Sequence, residues 1–240
     1  MLPARPVEYM VDAVTMIGHW AIADAYDGRR PGVLLLHLGG GLDDNMRSRA
    51  KRLAALAYTA FALDYFGGGR QLPFDQAQAR LIAFLADVDA TRRLARVGLA
   101  ELTSRKEVDG DRLAAVGSCF GGTALELARD GAPVQAVVGF HPGLTSARPD
   151  DSANITASVL MCCGADDPVI TVEARNAFEH EMRVAGVRDW RLEVYGGVGH
   201  SFTNPTIDAR GFGGFTYDER ADRRSWKSML DVLQESVGSA

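Results

Sequence analysis

Short apolar runs and amphipathic stretches alternate along this chain, and the alternation predicts its elements. Residues 7–24 mix apolar and polar positions in a β-like way and carry β-branched Val11, Val14, Thr15 and Ile17, which predicts an opening hairpin turning at Gly18. After the turn residues Asp27, Gly28 and Pro31 comes Val33-Leu34-Leu35-Leu36-His37, whose lack of alternation suits a strand covered on both faces. Residues 59–63, 113–116, 134–140, 158–161 and 191–195 read as further short strands. Between them the pattern predicts helices. One is capped by Asp43 or Asp44 and runs to about Ala57, with Met46, Leu53 and Leu56 at helical spacing. A second spans residues 75–102 with Leu81, Ile82, Leu85 and Val88 on one face. Others end at Arg129 or span residues 172–184 and 218–237.

Strands alternating with helices imply an α/β fold, a mostly parallel sheet with helices on both faces, and the absence of repeats or low-complexity tracts makes residues 1–240 one domain. In such a sheet ligand chemistry collects in the loops beyond the carboxyl ends of the strands. Residues 39–41, 117–122, 164–168 and 196–200 are glycine-bearing and each follows an apolar run, so they are predicted to open on one edge.

Composition narrows the partners. At 240 residues, 47% hydrophobic, the chain can bury a sizeable core, and 26 Lys and Arg against 31 Asp and Glu give a net charge of -5 that offers no general attraction to nucleic acid or anionic lipid. An odd count of three cysteines, with Cys162 and Cys163 adjacent, argues against a secreted disulfide framework. The N-terminus lacks a signal-like apolar segment, and no run approaches the roughly 20 residues that span a bilayer, so a cytoplasmic protein is expected. Nothing in the pattern marks an exposed apolar stripe, which leaves a monomer as the simplest expectation.

The sharpest local signal is Gly117-Ser118-Cys119-Phe120-Gly121. A residue thrown onto a tight turn between strand and helix needs glycine two before and two after it. Such a turn exposes the thiol at a helix N-terminus, where the positive dipole end favours thiolate. Cys162 and Cys163, at the end of an apolar run, read as core packing instead. A thiol nucleophile needs a base, and the base an orienting carboxylate. Of the five histidines, His180 lies in a charged helical stretch and reads as surface, and His19 sits near the opening hairpin. His37 and His141 end apolar strands and read as structural or loop-holding residues, while His200 closes Tyr195-Gly196-Gly197-Val198-Gly199-His200 and is the candidate base. Asp166 and Asp167 follow a preceding strand, and one of them is the candidate orienter. The chain order nucleophile, acid, histidine is that of α/β hydrolases.

These residues, together with Leu63-Asp64-Tyr65-Phe66-Gly67-Gly68, Phe140-His141-Pro142-Gly143-Leu144 and Gly199-His200-Ser201-Phe202-Thr203-Asn204-Pro205, resemble the dienelactone hydrolase family over nearly the whole chain. The resemblance implies Cys119 as nucleophile, His200 as base and Asp167, with Asp166 behind it, as the acid. It also implies an oxyanion hole from the backbone N–H of Phe120 and a glycine after His37, here Gly39, and a reaction without cofactor or metal. Dienelactone-cleaving members carry a glutamate directly after the position of His37, where this chain has Leu38. Asn204 stands where a substrate-binding arginine would be expected, with Arg70 and Arg80 as candidate substitutes. The expected activity is hydrolysis of a lactone or activated carboxylic ester through a Cys119 thioester. The competing expectation is a redox-responsive or ligand-binding homologue of the same fold without turnover.

Overall fold

A computed structural model describes residues 5–23 and 28–238; Asp24 and Asp27 of the expected opening turns lie outside them. Among the described residues eight strands form one sheet: β1 (Arg5–Val11), β2 (Val14–Ala21), β3 (Arg30–Leu36), β4 (Thr59–Ala62), β5 (Val108–Ser118), β6 (Ala136–Phe140), β7 (Ser158–Gly164) and β8 (Trp190–Tyr195). Their order is β1-β2-β4-β3-β5-β6-β7-β8. The pairs β1·β2 and β2·β4 are antiparallel, and every pairing from β4 to β8 is parallel.

The apolar runs are strands because both faces are covered. Along β3, Leu34 and Leu36 enter one apolar cluster and Val33 and Leu35 the other. The first cluster packs against α3 (Val88–Thr103), α4 (Thr123–Arg129) and α5 (Val172–Val184) through residues such as Leu94, Leu125 and Phe178. The second packs against α1 (Asp44–Ala55) and α6 (Glu219–Val237) through residues such as Met46, Leu53, Met229 and Leu233. Each such Leu or Phe fully removed from water contributes roughly 1.5–3 kcal/mol. Cys162 and Cys163 follow the same alternation, one thiol in each cluster, both fully buried and unpaired.

Two expected elements differ. The opening hairpin turns at Asp12 and Ala13, with Asp12 at φ +52°, and Gly18 lies inside β2. Glycine is needed there for proximity, since a Cβ at 18 would sit 2.4 Å from the Phe61 ring. The long helix expected over 75–102 is two helices, α2 (Phe74–Ala86) and α3, because Asp87 leaves the helical region at ψ 87° and its carboxylate caps Ala90 N–H at 2.9 Å. The break turns Ile82 and Leu85 outward to 60% and 66% exposure, where the sequence pattern places them inside with Leu81.

Behind the sheet's functional edge a buried ion network ties α3, α4 and α5 together. Arg129, 1% exposed, donates to Glu126 at 2.7 Å, Glu181 at 2.5 Å and the Leu144 carbonyl at 3.1 Å, while Arg92 reaches Glu126 at 2.8 Å. Removing one partner of a buried pair strands the other's charge. Arg129→Met is therefore expected to lower stability by about 3–5 kcal/mol, read from urea unfolding at unchanged m-value. A loss below about 1 kcal/mol would show that the network is dispensable. No helix among the described residues is long and apolar enough to cross a membrane.

Candidate active site

β5 ends at Ser118, and the chain turns through a 3-10 segment, Cys119–Gly122, into α4. Cys119 takes φ +54°, a left-handed conformation that costs a non-glycine residue about 1–2 kcal/mol. The flanking glycines are obligatory: a Cβ at Gly117 would lie 1.7 Å from the Gly121 carbonyl oxygen, and one at Gly121 would lie 2.4 Å from the Leu36 carbonyl oxygen. The second contact shows why the elbow and the end of β3 are pressed together. Five of the described non-glycine residues have positive φ, and three of them, Cys119, His141 and Ser201, lie at this edge.

The strand-end loops bring three side chains into line. His200 Nε2 lies 3.1 Å from Cys119 Sγ, and His200 Nδ1 donates to Asp167 Oδ2 at 2.7 Å. The other Asp167 oxygen accepts Val169 N–H at 2.7 Å and Ile170 N–H at 2.9 Å, which holds the carboxylate in place. Asp166 is exposed, and its backbone N–H donates to the Val198 carbonyl instead. The backbone N–H groups of Gly39 and Phe120 both point at Cys119 Sγ.

Charge follows from this geometry. Burial pushes the Cys119 thiol up, but His200 and the two backbone donors outweigh it and the pKa is net lowered. Burial acts in the opposite sense on His200, and its contacts with Asp167 and Cys119 outweigh that, raising it to about 9. Asp167 is lowered: burial opposes its charge, and His200 with the two N–H donors prevails. These directions agree with one another and favour a thiolate beside an imidazolium.

His37 and His141 support the site without entering that chain. His37 Nδ1 donates to the Leu38 carbonyl at 2.6 Å and Nε2 accepts Tyr65 N–H at 3.0 Å, a neutral ring that binds the loop after β3 to the loop after β4. His141 is fully buried, packs edge-on against His200 at 5.1 Å and shares a 2.9 Å hydrogen bond with the Thr203 hydroxyl. Burial first, then the charges of His200 and Arg49, hold it neutral. Leu38 is buried, Arg70 and Arg80 are exposed, and Asn204 Oδ1 accepts from Thr206 at the backbone and the hydroxyl.

Sequence reasoning left several contributors without a role. The Asp64 carboxylate, fully buried, accepts four backbone N–H bonds, from Ile17, Phe66, Gly67 and Gly69. It folds the triple-glycine loop and so places Tyr65 and Phe66; an acid between an apolar strand and three glycines was the available signal. Phe215 packs on the His200 ring at 4.7 Å, and Leu81 and Phe84 of α2 reach the site from a helix whose pattern points to core packing alone. Among the described residues no group of three or more His, Cys, Asp and Glu is arranged to hold a metal ion.

Known proteins share this arrangement of chain. The chain is 41% identical to a solved structure titled m3DLH, with a TM-score of 0.94 over 98% of this chain and 99% of that one. It is 39% identical, again with a TM-score of 0.94 and 99% coverage of both chains, to a dienelactone hydrolase-like promiscuous phosphotriesterase from metagenomic libraries. A Salmonella typhimurium LT2 protein described as a candidate carboxymethylenebutenolidase is 28% identical across 93% of this chain and 84% of its own length. The pattern of the dienelactone hydrolase family matches residues 18–237. The chain belongs to the dienelactone hydrolase family and is a carboxylic ester hydrolase with the α/β-hydrolase fold.

Proposed function

We propose that this hydrolase cleaves a lactone or activated carboxylic ester by covalent catalysis at Cys119, with His200 as the acid and base and Asp167 as its orienter. The observation that carries the reading is the continuous contact from Asp167 through His200 to Cys119, at 2.7 Å and 3.1 Å. The Cys119 thiolate attacks the acyl carbon, forming an S–C bond, and the carbonyl electrons move to oxygen. That oxygen settles against the Gly39 and Phe120 N–H groups, a contact whose loss typically costs about 100-fold or more in rate. Collapse breaks the C–O bond to the alcohol portion, whose oxygen takes the proton from His200 Nε2. Neutral His200 then removes a proton from water, the hydroxide attacks the thioester, and the acid leaves with Cys119 again a thiolate. Asp167 stays ionised throughout and stabilises the imidazolium.

The 39% identical phosphotriesterase favours a second reading of the same machinery, attack of the thiolate on phosphorus with release of an aryloxide. A panel of p-nitrophenyl esters, lactones and one p-nitrophenyl dialkyl phosphate separates the readings. Turnover of esters or lactones at kcat/KM of about 10⁴ M⁻¹s⁻¹ for the best substrate is expected, within the ordinary enzyme range. Turnover of the phosphate alone would favour the second reading, and no turnover of any of them would contradict both.

A further inference from the structure

α2 lies across the candidate site on unusually few buried contacts. Among the described residues Ala77 is its one buried residue, while Phe74, Ile82 and Leu85 face solvent. Its inward side chains nevertheless meet the two residues that supply the backbone donors. A Cβ built on Gly39 would be 3.2 Å from Leu81 Cδ2, so Leu81 sits directly on the first donor's residue. Phe84, one turn further on, packs against the Phe120 ring at 5.9 Å and stacks on Phe66 at 6.1 Å. The Phe66 and Phe120 rings in turn stack at 6.2 Å. Just before the helix, the Leu72 N–H donates to the Gly40 carbonyl at 3.0 Å, and Gln71 bridges Gly41. These bonds hold α2 to the donor loop, so the position of Leu81 over Gly39 is set by the backbone.

The two ends of the site differ in what they contact. A chain of rings runs from His200 to Phe215 at 4.7 Å, Phe212 at 5.8 Å and Phe74 at 5.4 Å. The leaving alcohol takes its proton from His200 and so departs along that side. The cluster of Leu81, Phe84, Phe66 and Phe120 touches the donor residues and makes no ring contact with His200 among the described residues. With the alcohol departing on the His200 side, this side is left for the acyl group. The charged residues of α2, Asp75 and Arg80, are exposed, so this wall is apolar.

Resting on the reading of Cys119 as nucleophile, we propose that Leu81 determines acyl specificity, closing an apolar acyl pocket walled by Phe66, Phe84 and Phe120 and selecting esters with a short alkyl acyl group over long ones. Specificity of this kind changes by about tenfold or more for each methylene or so that a pocket wall gains or loses. The test is kcat/KM for p-nitrophenyl acetate, butyrate and octanoate, a series in which the leaving group is constant. Leu81→Ala is expected to raise the octanoate-to-acetate ratio about tenfold or more, and Leu81→Phe to lower it. Ile82→Ala, on the outer face of the same helix, is expected to leave the ratio within about twofold of wild type. An unchanged ratio in both Leu81 variants, or an equal change in Ile82→Ala, would overturn the proposal. A Cys119→Ala arm separates the two levels: if it hydrolyses the series as fast as wild type, the reading of Cys119 fails, whereas Cys119-dependent turnover with a fixed ratio defeats only the role of Leu81.

Discussion

Cys119→Ala is expected to reduce ester or lactone turnover by at least about 10⁴-fold while leaving the thermal midpoint within a few degrees of wild type. The size of the effect comes from the loss of the covalent route. The Gly39 and Phe120 donors and the apolar wall would remain, so a residue of binding and electrostatic assistance would persist. The fold should tolerate the change because Cys119 contributes one small side chain at a partly accessible position, and alanine at φ +54° carries a backbone cost similar to that of cysteine. Cys119→Ser is the sharper comparison. A serine hydroxyl at this position is not ionised at neutral pH, so the rate would depend on His200 acting as base from its neutral form. A serine would remove the thiolate's contribution and leave the elbow unchanged, and a loss of about 100-fold or more is expected. Equal turnover by wild type and Cys119→Ala, measured with the same purified ester, would remove Cys119 from the reaction.

The second large effect is on pH. Cys119 is net lowered and His200 raised, so the thiolate with imidazolium exists from the lowered thiol pKa up to about 9. Below that window the thiol is protonated; above it His200 loses its proton and the thiolate stands alone. Reaction of Cys119 with iodoacetamide is therefore expected to be fast already near pH 6, where an ordinary cysteine near 8.5 is almost wholly thiol. His200→Ala removes the largest of the influences that lower the thiol, so its pKa is expected to rise. Because the thiolate fraction changes tenfold per pKa unit, alkylation of that variant at pH 6 should slow by about tenfold or more. Cys162 and Cys163 do not confuse the measurement, since burial raises both, Cys163 to about 12. Equal rates for wild type and His200→Ala at pH 6 would mean that the two side chains do not share a charge.

Much of the fold was legible because β3, β5, β6 and β7 carry unbroken apolar runs that only a doubly covered strand can hide. The elbow was legible for a different reason: backbone crowding at Gly117 and Gly121 leaves no alternative residue, so the chemistry is written in glycine. Other features depend on distance in space. Gly18 read as a turn because a glycine in a strand interior is locally unfavourable, and the Phe61 ring that demands it lies 43 residues away along the chain. The break at Asp87 is a capping choice between two helical stretches that share one periodicity, and local pattern continues straight through it. Asp166 and Asp167 were indistinguishable from the residues alone, as neighbours in a loop, and the family resemblance alone favoured Asp167. Burial separates them, since one faces solvent and the other spends both oxygens on His200 and backbone N–H groups. Leu81 was read as part of one apolar helix face and Phe84 was not singled out, because helical spacing reports which side chains share a face and says nothing of what that face covers.

The central claim is that an acyl group becomes bonded to Cys119, and intact-mass measurement tests it most directly. Wild-type protein mixed with an activated ester and quenched in acid within milliseconds to seconds should gain the mass of one acyl group. Peptide mapping should place it on Cys119, and hydroxylamine should release it as expected of a thioester. His200→Gln should accumulate more of the adduct if water attack becomes the slower step, and Cys119→Ala should show none. Turnover without any adduct on Cys119 in either wild type or His200→Gln, or an adduct confined to another residue, would contradict the account; oxidation of Cys119 with no ester turnover would support the redox-responsive alternative.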